Sequence, residues 1–220
     1  MTKPEIKGIL FDFDGTLAKT MEDHYAAWKN TLLPLGIKLQ PEEYFPFEGM
    51  TVHRIAQKVC EDYGLSFSLS TDLIKKKEEY YLRNNSFSFY PGVEEMIIFF
   101  KKEGFKLGIV TAGLLDRIKK TVSEDFLALF EVIITGDQTK EGKPSPEPYL
   151  KGLDRLGLGP EQCIVIENAP LGIKAAKAAG TYCIAIVSTV ERQELMEADE
   201  IIDSFSNLLN SKVLTYLKQD

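Results

Sequence analysis

The 220-residue sequence contains only three cysteines, at positions 60, 163 and 183, and two histidines. An odd, widely spaced set of cysteines does not read as a disulfide framework. Cys163 and Cys183 lie in apolar runs, which reads as core packing in a reducing compartment, so a cytoplasmic protein is expected. With so few imidazoles and no paired cysteines, a zinc site is not expected. Positive charge is also short: 26 Lys and Arg face 33 Asp and Glu, for a net charge of −7. That balance disfavours nonspecific contact with nucleic acid or with an anionic membrane surface. No segment approaches the roughly 18 continuous apolar residues that a membrane helix needs, and "MTKPEIKG" carries no signal-like apolar stretch. Internal repeats, low-complexity linkers and heptads are missing as well, so a monomer is expected.

The rest of the sequence has a rhythm. Hydrophobic residues make up 44%, enough for a sizeable core at this length. "IKGILFDFD", "KLGIVTAG", "FEVIITGD", "QCIVIEN" and "TYCIAIVS" are near-continuously apolar, as strands covered on both faces are. "PGVEEMIIFFKKEG", "SPEPYLKGLDRLGLG" and "APLGIKAAKAAG" are helical patterns between them, opened near proline and closed by glycine. A strand-like "EIIDSF" and a helical "LLNSKVLTYLK" finish the chain. The alternation predicts an α/β fold, a doubly wound parallel sheet with right-handed crossovers. Between Leu17 and about Phe89 the rhythm breaks: "TMEDHYAAWKNTLLPLG", "TVHRIAQKVCEDYG" and "STDLIKKKEEYYLRNN" have apolar residues at helical spacing and no buried-type strand. The expected division is a core of residues 1–17 and 89–220, with a helical unit of residues 18–88 inserted after the first strand. Leu17–Thr20 and Ser86–Phe89 are its two crossings.

Ligands of open α/β sheets bind at the carboxyl ends of the strands. Those ends here carry Asp12 and Asp14, then Thr111-Ala112-Gly113, then Lys143 in "EGKPSPEPYL", then Glu167-Asn168. Brought together, they form a pocket of hard oxygen donors, a hydroxyl and an ammonium, suited to Mg²⁺ rather than to a soft metal. A carboxylate repels a phosphoryl anion unless a cation lies between them. Asp12 could then attack phosphorus, and Asp14 could serve the leaving oxygen and then water as acid and base. Lys143, Thr111 and nearby backbone N–H groups would hold the phosphoryl oxygens, and Gly15 permits the sharp turn after Asp14.

"DFDGT", the strand-end threonine, "GKPSPEPYL" and "VIENAPLGIKAAKAAG", in this order, resemble the haloacid dehalogenase superfamily, and the insertion lies where that family places a small helical cap. The resemblance covers nearly the whole chain. It implies a Rossmann-like core and a Mg²⁺-dependent phosphohydrolase acting on a small phosphorylated metabolite or on pyrophosphate. Asp12 would be nucleophile and metal ligand. Asp14 would be acid–base and lend its backbone carbonyl to the metal. Thr111 and Lys143 would hold the phosphoryl group, and Asn168, with Glu167 beside it, would occupy the metal position of the fourth motif. Many relatives have aspartate where Asn168 stands, so one charge is missing. Within the family, Thr20, His24 and Trp28 resemble the β-phosphoglucomutase-like branch, where a cap histidine and lysine, here His24 and Lys77, couple closure to acid–base chemistry. The mutases' cap arginine matches Val52 here, with His53 and Arg54 beside it. Glu48 together with "ENAPLG" resembles a group of inorganic pyrophosphatases within that branch.

Other readings stay open on residues alone. Thr111 and Glu167-Asn168 also suit helix caps. His24 suits a packed amphipathic face, and Lys77, in a triple-lysine run, suits a solvated one. A sugar phosphomutase would use the same covalent step, but lacks its cap arginine here. A receiver-type phosphoacceptor would need neither Asp14 as acid–base nor the insertion, and a dehalogenase would need neither Asp14 nor Mg²⁺.

Overall fold

The computed structural model describes residues 6–215. In chain order the elements are β1 (Gly8–Phe11), α1 (Met21–Leu32), α2 (Pro41–Tyr44), α3 (Val52–Asp62), α4 (Ser70–Asn84), α5 (Val93–Lys102), β2 (Lys106–Val110), α6 (Leu115–Thr121), α7 (Glu124–Leu127), β3 (Val132–Ile134), α8 (Glu147–Leu156), β4 (Cys163–Glu167), α9 (Pro170–Ala178), β5 (Tyr182–Ile186) and β6 (Glu200–Ile202). The six strands form one parallel sheet in the order β3-β2-β1-β4-β5-β6. After β3 the chain crosses back to the other side of β1, so the switch point lies at β1, the strand that ends on Asp12.

The apolar runs have the reason the sequence suggested: both faces of the sheet are covered. Ile9, Phe11, Ile164, Ile166, Ile184 and Ile186 point to one face, packing with Val93, Ile97 and Phe100 of α5. Leu10, Cys163, Val165, Cys183 and Ala185 point to the other, against Tyr149 and Leu153 of α8 and Ile173 of α9. The period of two within a continuous apolar run is that of a buried parallel strand. All three cysteines are buried and free.

The segment from α1 to α4 is helical and builds a cluster of its own from Met21, Trp28, Leu32, Val52, Ile55, Val59 and Leu73. The chain crosses to and from it on two paired stretches: Lys19 N–H donates to the Ser88 carbonyl, and Tyr90 N–H donates to the Leu17 carbonyl. The Lys19 ammonium lies 5.5 Å from the Tyr90 ring centre, which gives that residue a cation–π partner at the crossing.

The structure departs from the expected elements at the C-terminal end. "LLNSKVLTYLK" does not make the expected helix within the described residues. The chain takes a 3₁₀ stretch over Phe205–Asn210, then Ser211 turns extended, which lets Leu208 and Leu214 both reach the core; residues 216–218 of that run lie outside the described residues. In α5, Ile98 is 42% exposed although Ile97 and Phe100 are fully buried, because a helix places neighbouring residues on different faces.

Candidate active site

Asp12 directly follows β1 and is buried. Lys143, in the loop between β3 and α8, donates from Nζ to Asp12 Oδ1 at 2.5 Å, to Glu167 Oε1 at 2.6 Å and to the Val110 carbonyl at 3.2 Å. Three acceptors use all three ammonium hydrogens. Burial alone would lower the Lys143 pKa, but Asp12 and Glu167 hold it above its ordinary value. Burial pushes the Asp12 carboxyl above the usual carboxylate range; Lys143 pulls it back and Glu167 adds to the rise. Glu167 was expected beside the metal, yet its oxygens are taken by four donors. Oε1 accepts from Lys143 and from the Tyr149 hydroxyl at 2.7 Å, and Oε2 accepts from the Asn168 and Ala169 backbone N–H groups. It serves here to aim Lys143 at Asp12.

Asn168, at the tip of β4, is completely buried. Its Oδ1 accepts from the Thr16 hydroxyl at 2.8 Å. Its Nδ2 donates to Glu48 Oε1 at 2.6 Å and to Thr189 Oγ1 at 2.8 Å. Thr189 Oγ1 lies 2.8 and 2.9 Å from the two Glu48 oxygens. The carboxylate of Glu48, carried by the helical segment, is thus buried against the strand tips. Burial raises its pKa to about 8 against the pull of Thr189 and Asn168, with Asp12 and Glu167 adding to the rise. Gly15 adopts φ +87°, and a Cβ there would collide with Asn168 and Glu48, so the approach of these two side chains depends on that glycine.

Asp14 sits in a second network. Oδ1 accepts from Thr20 Oγ1 at 2.7 Å, His24 Nε2 at 3.1 Å and Arg117 Nη1 at 3.0 Å. Oδ2 accepts from Arg117 Nη2 at 2.8 Å and Thr111 Oγ1 at 3.3 Å. Burial would raise Asp14, but Arg117 and His24 together hold its carboxyl well below the usual range. Lys77 Nζ lies 2.9 Å from His24 Nδ1 and 2.8 Å from Glu78 Oε1. An ammonium has no acceptor, so His24 Nδ1 accepts from it and Nε2–H donates to Asp14. Burial, then Lys77 and Arg117, lower the His24 pKa to about 4, and burial lowers that of Lys77.

Helical spacing explains both placements. Leu73, Lys77 and Tyr81 share the buried face of α4, while Lys75 and Lys76 stay exposed. His24 lies on the buried stripe of α1 with Met21 and Trp28. Ala112 and Gly113 line the same cavity as Asp12, Asp14 and Asn168, and Gly113 N–H donates to Thr111 Oγ1 at 3.0 Å. Thr20 and Thr111 join the site through bonds to Asp14, Lys143 through its bond to Asp12 and Gly15 by its approach to Asn168 and Glu48, while Asp12, Asp14, His24, Glu48, Lys77, Ala112, Gly113, Glu167 and Asn168 line one cavity of about 50 Å³. His53 and Arg54 do not: both are exposed and face a separate groove beside Lys140 and Ser145, whereas Val52 lines the site.

Sequence reasoning missed Arg117, Glu78, Tyr149, Thr16 and Thr189. Thr189 had a usable signal, since it lies just past the end of β5. Arg117 had none, because "DRIKK" reads as an ordinary solvated helix.

The fold and this strand-tip cluster define an α/β enzyme of the phosphatase type. The chain belongs to the haloacid dehalogenase-like hydrolases, whose family model matches residues 9–186. It is 31% identical over 212 residues to hexitol phosphatase A of Escherichia coli strain K12, covering 94% of each chain. It is 27% identical to pyrophosphatase PpaX of Bacillus velezensis, covering 96% of this chain and 98% of that one. Among solved structures, CbbY from Rhodobacter sphaeroides in complex with phosphate superposes with a TM-score of 0.81 at 29% identity, over 92% of this chain and 96% of that one. No helix among the described residues is long and apolar enough to cross a membrane.

Proposed function

We propose that the chain is a Mg²⁺-dependent phosphohydrolase that works through an aspartyl-phosphate on Asp12, with small phosphorylated metabolites or pyrophosphate as substrates. The observation that carries this reading is the pairing of a buried and a partly buried aspartate with opposite surroundings: Asp12 on Lys143, Asp14 on a Thr20–His24–Lys77 relay. A carboxylate held by an ammonium suits the nucleophile, and one joined to a histidine and a lysine has a route for the proton of the leaving group.

The metal fits the donor set. Among the described residues no group of three His, Cys, Asp or Glu is arranged to hold a cation by itself. However, the Asp12 carboxylate, the Asn168 amide oxygen, the Asp14 backbone carbonyl and the Glu48 carboxylate would supply hard oxygens to a cation, and Lys143, paired with Asp12 and Glu167, does not by itself offset the buried charge of Asp12, Glu48 and Glu167. Bound there, Mg²⁺ would supply charge neutralisation for the phosphoryl oxygens. In the first step Asp12 Oδ bonds to phosphorus, the bond from phosphorus to the leaving oxygen breaks, and a proton reaches that oxygen through Asp14, which draws it from His24 Nε2 as Lys77 gives one to His24 Nδ1; the proton taken up in the second step returns along the same groups and restores Lys77. In the second, water bonds to phosphorus, Asp14 takes its proton and the acyl-phosphate bond to Asp12 breaks, releasing inorganic phosphate. Thr111, whose hydroxyl now donates to Asp14 and accepts from the Gly113 N–H, would hold the transferring group together with the backbone of Ala112 and Gly113, which line the cavity, by exchanging those bonds for the phosphoryl oxygens. The helical segment of residues 18–88 acts as a cap that excludes water during the first step.

A sugar phosphomutase is disfavoured by Val52, an apolar side chain in the cavity at the position matched to the mutases' arginine. The deciding assay measures phosphate release with Mg²⁺ from pyrophosphate, β-glucose 1-phosphate, 2-phosphoglycolate and an aryl phosphate, beside Asp12→Asn. Release from wild type alone is the expected result; equal release from both proteins would end the proposal. Conversion of β-glucose 1-phosphate to its isomer, without net phosphate, would favour the mutase.

A further inference from the structure

Arg117 is the one cation touching Asp14 that the proposed steps do not use. It comes from α6, is 3% exposed, and grips both Asp14 oxygens through Nη1 and Nη2. Its Nε–H has no hydrogen-bond partner among the described residues, and neither has Glu78 Oε2, 3.8 Å away. The guanidinium carbon lies 5.3 Å from the Tyr81 ring centre. On the core side, Gly113 makes room for it: a Cβ at that position would overlap the guanidinium. The group therefore lies across the Thr111-Ala112-Gly113 loop, inside the cavity and against the acid–base carboxylate.

This placement decides what the guanidinium meets. The leaving oxygen is the atom that Asp14 serves, so whatever is attached to that oxygen arrives where Arg117 holds Asp14. A neutral alcohol that takes an Asp14 oxygen leaves a buried guanidinium with fewer acceptors, which is costly. A leaving group with its own anionic oxygens replaces the acceptor it displaces, and a planar fork suits phosphate or carboxylate in that role. We propose that Arg117 is a specificity-determining residue that selects substrates whose leaving group carries an oxyanion next to the scissile bond, exchanging its grip on Asp14 for that oxyanion. The inference rests on the phosphohydrolase reading above and deepens it.

The test compares wild type, Arg117→Lys and Arg117→Met on pyrophosphate, 2-phosphoglycolate and ethyl phosphate with Mg²⁺. The two anionic arms separate a phosphate from a carboxylate leaving group, and ethyl phosphate supplies the neutral one. Wild type should favour one or both anionic substrates over ethyl phosphate. Arg117→Met should reduce kcat/KM for the favoured substrate on the order of 100-fold, as for loss of one partner of a buried, hydrogen-bonded charge pair. The ratio to ethyl phosphate should collapse, and Arg117→Lys should restore part of it. A purely structural role would lower all substrates alike, and that result would overturn the proposal. Binding of methylenediphosphonate against methylphosphonate to metal-free wild type and Arg117→Met decides the same point without turnover. Tighter binding of the diphosphonate, lost in the variant, is expected; equal binding in both proteins overturns the assignment. An inactive wild type would sink the hydrolase reading, while the binding ratio would still decide the role of Arg117.

Discussion

The two aspartates of "DFDGT" are one residue apart, yet their surroundings differ in charge balance. Around Asp12 lie three buried carboxylates, of which Asp12 and Glu167 share one cation, Lys143, and Glu48 has only the neutral donors Asn168 and Thr189. Around Asp14 two carboxylates, Asp14 and Glu78, meet two cations, Arg117 and Lys77. In the first half the carboxyl groups of Asp12 and Glu48 move up, Glu48 to about 8. Those of the second half, Asp14 and Glu78, move down as Arg117 and Lys77 overcome burial. The first half lacks positive charge and would gain most from a divalent cation. The second is balanced and would gain nothing from one; it can only exchange one anion for another.

The largest break in this comparison is Asp12→Asn. It removes the nucleophile and leaves Glu167 as the one carboxylate on Lys143, so kcat should fall by about 1,000-fold or more on every substrate while the fold persists. Steady-state phosphate release and circular dichroism check the two halves of that statement; residual turnover within tenfold of wild type would refute the nucleophile. The next effect is Asn168→Asp. Asn168 Nδ2 now donates to Glu48 Oε1 at 2.6 Å, and aspartate would turn that bond into carboxylate–carboxylate repulsion. The metal-free variant should lose on the order of 2 kcal/mol at pH 8, and saturating Mg²⁺ should recover most of it. Melts with and without a chelator read this directly. A variant as stable as wild type without metal would mean that the Asp12 half is not short of positive charge.

How much of this was visible in the sequence depends on how local each signal is. The strands were legible because a strand buried on both faces must be apolar throughout, and Asp12, Thr111 and Asn168 because they directly follow strands, where the topology alone brings them together; Lys143 lies further along the loop after β3 and was marked by its "GKP" context. Lys77 was ambiguous in a triple-lysine run; only the i, i+4 alignment with Leu73 and Tyr81 puts it inside. Arg117 was illegible because its partner Asp14 is 103 residues away and nothing in "DRIKK" marks which basic residue turns inward. The 3₁₀ ending at Asn210 was missed because apolar residues at helical spacing look alike whether one helix or successive turns bury them.

Glu48→Gln sharpens the same contrast through pH. The folded-state pKa of Glu48 is raised from 4.5 to about 8. Between those values the folded chain binds the proton that the unfolded chain has released, so Glu48 contributes stability that is full below pH 4.5 and lost as pH rises through 8. Asp14 has the opposite sign: its pKa is lowered, so its contribution is present above its ordinary value of 3.8 and is lost as pH falls below it. In metal-free protein, Glu48→Gln should therefore gain on wild type in urea melts as pH rises from 5 to 8, by roughly 2 kcal/mol, whereas Asp14→Asn should show no such gain. A constant difference between Glu48→Gln and wild type across that range would show that the buried carboxylate is not strained by its neighbours.

The smallest expected effect is a signal that does not move. Burial, Lys77 at Nδ1 and the nearby Arg117 lower the His24 pKa from 6.5 to about 4, although Asp14 pulls the other way. Between those values the unfolded chain binds a proton that the folded chain refuses, so His24 withdraws stability as pH falls from 6.5 toward 4. Above pH 5 the ring should stay neutral with its hydrogen on Nε2, since that atom donates to Asp14 while Nδ1 accepts from Lys77. In ¹⁵N spectra one ring nitrogen should resonate as a pyrrole type and the other as a pyridine type, without drift from pH 5 to 8, with the exposed His53 as the other histidine in the same spectra. An imidazolium at pH 6 would mean that the field of Asp14 exceeds that of the two cations, and the Asp14 half would then carry surplus negative charge like the Asp12 half. Arg117 would in that case be bound too strongly by carboxylate to exchange it for a substrate anion, so this one spectrum bears on both the proton relay and the proposed selection of the leaving group.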